Sequence, residues 1–222
     1  MIHNFDFFKK FCIISTCHLT AHHKTMPIYA LNGITPIVED GAFVHPDAVL
    51  IGDVFVLSGA FVAPFATMRG DFGRLILGKG ANLQEHCCMH GFPATDTVVE
   101  ENGHIGHGAI LHGCTIRKNA LIGMNSVILD NAIVGENSIV GANSLVKNGT
   151  EIPANSLAIG NPATVIRPLR DEELSWKSDG TAEYQMLARM YPDAMLETKA
   201  ENKIDWDRPR LETSSYSHKP KA

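Results

Sequence analysis

Three of the eleven histidines, His90, His107 and His112, have a type and spacing that could do chemistry. His107 and His112 stand five residues apart within IGHGAILHGC, and His90 closes NLQEHCCMH. Neutral imidazole is the commonest metal-binding side chain, and three histidines with a fourth, open position make a catalytic zinc pattern. Zinc, iron or cobalt held in this way lowers the pKa of a bound water, so that hydroxide is available near neutral pH. A helix brings ligand pairs together at i, i+4, and a six-residue coil stacks them at i, i+6; a spacing of five suits neither. The His107 and His112 side chains are therefore expected to point apart, one toward its own chain's site and the other toward a neighbour's. That would set a metal at a subunit boundary. The plainer reading makes all three structural or solvated loop residues.

A second group lies just upstream. Arg69-Gly70-Asp71 sets opposite charges two residues apart, able to pair across an interface. Exposed, such a pair contributes about 0–1 kcal/mol; partly buried, it fixes geometry. An adhesion role for Arg-Gly-Asp belongs to exposed loops of secreted proteins, and no other feature of the sequence points to secretion. Asn82 and Gln84 precede His90 on one stretch, and a glutamine amide beside a metal-bound water can orient it by hydrogen bond. His86 and His104 are close enough to be mistaken for ligands. Cys87, Cys88 and Cys114 read as small hydrophobes in a narrow interior.

The elements that must position these residues follow from a repeat. Small residues recur every six positions at Ala42, Ala48, Val54, Ala60 and Ala66, each followed two residues later by an apolar one: Val44, Leu50, Val56, Val62 and Met68. The period returns from Ile122 through Ile128, Val134 and Val140, with Asn and Ser or Ala at constant offsets. A helix repeats near 3.6 and a strand near 2, so a period of six describes a chain that runs straight briefly and then turns. The aliphatic residue points inward, the small one fits a corner, and Asn or Gly accepts the turn dihedrals. Stacked coils then bury one continuous aliphatic core. The expected fold is all-β, a left-handed parallel β-helix of hexapeptide repeats over 26–167, with a C-terminal α-helix packed alongside. The repeat is interrupted between about 69 and 103, and residues 91–104 read as an excursion from the coil, where scaffold-borne function often sits.

Both ends differ from this middle. Residues 1–25 are aromatic, His-rich and aperiodic, and read as a disordered or artefactual leader with Met26 starting the domain; their apolar stretch is too short for a signal peptide. After Pro168, Asp171-Glu172-Glu173 suits a helix N-terminus. Gly180 is expected to end that helix and Thr181 to cap a second, with Tyr184, Leu187, Ala188 and Tyr191 on one face and Pro192 as its stop. The helical segment is set at 168–192 and a mobile tail at 193–222.

Composition bounds the function. The 222 residues carry 19 Lys+Arg against 24 Asp+Glu, a net charge of −5, which disfavours nucleic acid or an acidic membrane as partner. The apolar share of 45% is that of a globular chain. No apolar run approaches the ~18 residues of a membrane span. The five cysteines form no C-x-x-C pair, which points to free thiols in a reducing, cytoplasmic setting.

With Arg69-Gly-Asp71, Asn82-x-Gln84, His90, Ile-Gly-His107 and Leu-His112-Gly-Cys114 in this order, the chain resembles the γ-class carbonic anhydrase family. Within it the likeness is to the branch of phenylacetate-degradation (PaaY) and carnitine-operon (CaiE) proteins, on LIGDV at 50–54, RGDFGR at 69–74 and the stretches 90–114 and 176–187. The resemblance spans roughly Met26 to Tyr191. It implies a homotrimer with one metal per chain, held between two subunits by His90 and His112 of one and His107 of the next. It implies an interface pair of Arg69 and Asp71, Gln84 beside the metal-bound water, and Tyr184 approaching from the C-terminal helix. The sequence departs from the archaeal type member at Phe72 and at Gly91-Phe92-Pro93, which stand where that protein has proton-shuttling glutamates.

The expected activity is thus metal-dependent hydrolysis of a coenzyme A thioester, associated with phenylacetate degradation. Hydroxide would attack the thioester carbonyl, and the metal would stabilise the oxyanion. Three alternatives stand beside it. One is CO2 hydration at the same site, which Phe72 disfavours. Another is a metal-free hexapeptide acyltransferase, since fold alone does not decide function. The third is a non-catalytic accessory protein of carnitine metabolism.

Overall fold

Short strands of mostly two or three residues follow one another with turns between them, and until the last of them each coil's strands pair in parallel with those of the next. In the computed structural model, which describes residues 27–211, they wind into a parallel β-solenoid of about seven turns. The expected leader at 1–25, with Cys12, Cys17, His22 and His23, lies outside the described residues, as does the tail beyond 211. In the regular part, equivalent residues stand 18 apart, three hexapeptides per coil: Asn119 meets Asn137, and Asn137 meets Asn155.

The solenoid has three faces. One is an 8-stranded sheet running from Phe43–Val44 to Ala163–Pro168. The other two are joined in a 12-stranded sheet by the long strands Val49–Val56 and Thr67–Leu77, which bend round a corner. The start of Thr67–Leu77 pairs with Cys88–His90 and its end with Thr97–Val99. Inward residues form ladders: Leu50, Met68, Met89, Leu111, Ile128 and Val146 stack in register, all wholly buried. Each such side chain contributes about 1.5–3 kcal/mol.

The six-residue period has its cause at the corners. Asn119, Asn125, Asn131, Asn137 and Asn143 all adopt left-handed backbone with φ of 56–59°, a region Asn tolerates better than most residues. Their side chains bond along the stack, Asn119 Nδ2 donating to Asn137 Oδ1 at 2.7 Å. The buried hydroxyls of Ser126 and Ser138 donate to the carbonyls of Gly141 and Pro153.

Three expectations need correction. The excursion at 91–104 is only six residues long: Thr97–Val99 is a strand with Thr97 buried, and the chain departs just over 91–96, closed by a bridge between Phe92 and Thr95. The parallel coils give way to an antiparallel pair, Ser156–Gly160 with Ala163–Pro168. Last, the two expected helices are one, Asp171–Ala194 (α1), running through Gly180 and Pro192.

Tertiary docking overrides the ~1 kcal/mol cost of a helical glycine. Lys177, Gly180, Thr181 and Ala188 are buried on one side of α1. Tyr191 rests edge-on against Phe43 and Phe61, themselves stacked at 5.3 Å, and Tyr184 rests against Phe61. The helix start is clamped by Glu173, whose carboxylate accepts from Arg167 at 2.8 and 3.0 Å. Beyond α1, residues 195–211 are exposed and without helix or strand.

Candidate active site

His90 and His112 sit directly opposite each other on adjacent coils, and Arg69 is opposite His90 on the coil before. Three consecutive coils therefore stack these side chains on one outer face. Residues 22 apart meet here because the excursion at 91–96 adds four residues to this 18-residue coil. His90 Nδ1 and His112 Nε2 are 3.1 Å apart. Behind them, Asp71 Oδ1 lies 2.8 Å from His90 Nε2, and Asp130 Oδ1 lies 2.6 Å from His112 Nδ1. Asp71 is also paired with Arg69. Partial desolvation opposes its ionisation, but hydrogen bonds from His90 and Arg69 prevail and hold its carboxyl below the ordinary 3.8.

The backing carboxylates decide what the two rings present. Each draws the N–H of its histidine, so His90 Nδ1 and His112 Nε2 face each other as lone pairs. Two facing lone pairs repel unless a cation stands between them. Ligands about 2.0–2.1 Å from a tetrahedral ion stand roughly 3.3 Å apart, close to the 3.1 Å found. Carboxylate-backed histidines are the usual outer arrangement of such sites, so the donor set fits a divalent ion.

His107 is elsewhere. It lies in the turn before Ile110–His112, and its Nδ1 meets Glu85 Oε2 at 2.5 Å. As its spacing from His112 predicts, the two side chains diverge. Among the described residues of one chain, no group of three or more His, Cys, Asp or Glu is arranged to hold a metal.

Asn82 and Gln84 are likewise not on the His90–His112 face. They are buried beneath α1 with His104 and Thr181. Tyr184 packs edge-on against His104 at 5.3 Å, on the α1 side of this group. Gln84 nevertheless adjoins Glu85, and so shares a corner with His107.

Sequence reasoning missed Asp130, Glu85, His104 and Lys177. Asp130 is one 18-residue coil beyond His112, so the repeat itself carries the signal for that pair. Lys177 had no such signal. It is buried, donating to the Asn102 carbonyl at 2.6 Å and to Asn119 Oδ1, and burial lowers its pKa to about 7. Cys87 and Cys114 are small buried groups as expected, their thiols pushed up to about 12 by burial. Phe72 stands exposed with its ring 5.5 Å from that of His90.

Residues 113–148 match the family model "Bacterial transferase hexapeptide (six repeats)". Carnitine operon protein CaiE of Salmonella newport is 53% identical over 197 residues, 89% of this chain and 99% of the relative. The chain belongs to the CaiE family of hexapeptide-repeat proteins. CaiE of Salmonella enteritidis aligns to the same extent. Among solved structures, a Bacillus cereus protein designated a candidate acetyltransferase is 37% identical with a TM-score of 0.73, over 74% of this chain and 95% of that one. A hexapeptide transferase family protein of Anaplasma phagocytophilum is 32% identical with a TM-score of 0.72, over 75% and 98%. A CaiE-family chain thus has a fold shared with transferases. No helix among its described residues is long and apolar enough to cross a membrane.

Proposed function

We propose that this CaiE-family protein is a metal-dependent hydrolase of coenzyme A thioesters, with sites completed between the subunits of a homotrimer. The observation that carries the reading is the pair of ring nitrogens, His90 Nδ1 and His112 Nε2, 3.1 Å apart, on rings each backed by a carboxylate. These two would be ligands from one subunit, and His107, exposed and held by Glu85, the ligand from the next. A bound zinc, iron or cobalt ion supplies Lewis acidity and an activated water. Asp71 and Asp130 orient the rings and select the tautomer in which the metal-facing nitrogens carry the lone pairs. Arg69 holds Asp71 in place, and Gln84, at the corner of His107, orients the nucleophile.

The trimer reading is supported by the corner that carries His107. Apart from Ala94 in the 91–96 excursion, Asn or Gly elsewhere fills the left-handed positions, but at this corner Phe65 and His86 do, with φ of 62° and 61°. Such backbone costs about 1–2 kcal/mol per residue. Their rings stack at 5.4 Å, and Phe65, Met124 and nearby Ile110 are 57%, 52% and 42% exposed. A second copy laid on this strip would bring its His90 and His112 to His107. Phe72 gives the His90 side an apolar lip, which suits an acyl chain and offers no group to shuttle protons for CO2 hydration.

The test is elemental analysis of purified protein together with thioester hydrolysis. One transition metal per chain, lost with hydrolysis in His107→Ala, is the expected result. Hydrolysis and metal content both unchanged in that variant would overturn the reading. A second reading, acyl transfer from acetyl-coenzyme A, is favoured by the Bacillus cereus relative. Transfer to an amine or sugar acceptor that persists after chelation would establish it in place of the first.

A further inference from the structure

Beneath α1 lies a closed polar group on the solenoid wall. His104 Nε2 is 2.8 Å from Gln84 Nε2, and His104 Nδ1 is 3.2 Å from both Thr181 Oγ1 and Asn82 Nδ2. Gln84 Nε2 donates to Asn82 Oδ1 at 2.9 Å, and Thr181 Oγ1 donates to the Lys177 carbonyl at 3.2 Å. Asn82, Gln84 and Thr181 are 0–2% exposed, so these contacts are largely screened from water.

Burial, with the charge of Lys177 adding to it, lowers the His104 pKa to about 3, so the ring is neutral near pH 7. A neutral imidazole has one N–H to place. With the proton on Nδ1, the ring donates to Thr181 Oγ1, and Nε2 accepts from Gln84. Gln84 uses its second hydrogen on Asn82, and the Thr181 hydroxyl keeps its bond to Lys177. That makes four bonds, with the Asn82 amide facing Nδ1–H at 3.2 Å as the one unfavourable contact. With the proton on Nε2, both amides must be turned over and the Thr181 hydroxyl must leave Lys177 to serve Nδ1. That leaves three bonds, with acceptor facing acceptor at the same 3.2 Å.

We infer that Thr181 of α1 holds His104 as its Nδ1–H tautomer, and that His104 and Asn82 thereby fix Gln84 with its carbonyl oxygen outward as a hydrogen-bond acceptor. Both amide hydrogens of Gln84 are consumed inside the network. Its Oε1 is engaged by no group among the described residues and is not a fully enclosed orphan, so it is left to accept from outside the network. An acceptor at the His107 corner receives the O–H of a nucleophilic water and aims its lone pair. It does not stabilise an oxyanion, which needs donors. His104 and Thr181 are positioning residues, and α1 is coupled through them to the site. The role toward the nucleophile rests on the hydrolase reading; the tautomer does not.

The experiment is nitrogen-15 NMR of full-length protein carrying ring-labelled histidine, near neutral pH. His104 is identified by the signal lost in His104→Asn or, if that variant does not fold, by the signal moved in Thr181→Val. The expected result is a neutral ring protonated on Nδ1 in the wild type and on Nε2 in Thr181→Val. The same valine variant should lose kcat for thioester hydrolysis roughly tenfold or more at unchanged KM, with tautomer and rate both restored by Thr181→Ser. An Nε2–H or cationic ring in the wild type overturns the inference, as does a Thr181→Val enzyme with the switched tautomer and full kcat. If the wild type hydrolyses no thioester, the hydrolase reading fails, and the tautomer alone decides for or against the network.

Discussion

At the scale of single residues, the two carboxylates behind His90 and His112 matter as much as the imidazoles. Asp130 Oδ1 lies 2.6 Å from the outer nitrogen of His112 and so favours the tautomer with the lone pair on Nε2. Asp130→Asn can donate to that outer nitrogen and so reverse the tautomer. Metal affinity should fall about 10–100-fold, read by competitive titration against a chelator, with the far-ultraviolet circular dichroism unchanged. Gly70 shows why the residue between Arg69 and Asp71 is fixed: a Cβ there would lie 2.4 Å from the Asp53 carbonyl oxygen. Gly70→Ala must push two coils apart and should cost about 2 kcal/mol or more, seen as a lowered Tm, with metal binding weakened because Arg69 and Asp71 move with the backbone.

At the scale of elements, α1 stays docked through its aromatic contacts and through Glu173. That carboxylate is buried between Arg167 and Arg170, and the Arg167 bonds lead in bringing its pKa to about 2 from an ordinary 4.5. A depressed carboxylate pKa stabilises the fold fully above the unfolded value, and that contribution fades as pH falls through the folded one. Glu173→Gln should therefore lower the unfolding free energy at pH 7 by about 2 kcal/mol, read from urea titrations. The gap from wild type should shrink between about pH 4.5 and pH 2. A gap independent of pH would mean that the glutamate acts by packing alone.

For the whole molecule, the solenoid sets His107 on one corner and the His90–His112 pair on the adjoining face, so a three-histidine centre needs a second copy. Assembly and metal binding should then be lost together. Phe65→Asp places a charge on the exposed corner strip and should shift the mass by light scattering from three chains toward one, while metal per chain falls from near one toward zero. A monomer that retained its metal would refute the shared site. Chelation should abolish thioester hydrolysis, and added zinc or cobalt should restore it.

The period of six, with Asn or Gly at the corners and aliphatic residues between, determined the solenoid from the sequence alone. That is because the repeat is local: each hexapeptide encodes one face and one turn, and its neighbour repeats the instruction. The divergence of His107 from His112 was legible for the same reason. Other features were not local. His90 meets His112 only because six residues leave the coil at 91–96, and Arg69 meets His90 only because the strand before them bulges near Phe72; the lengths of those departures fix which residues stack. The single helix through Gly180 arises from contacts with Phe43 and Phe61, far away in the chain, which outweigh a local preference to stop. The network of His104, Gln84 and Thr181 joins residues as far as 77 positions apart. Only the packing of α1 on the solenoid brings them within hydrogen-bond reach.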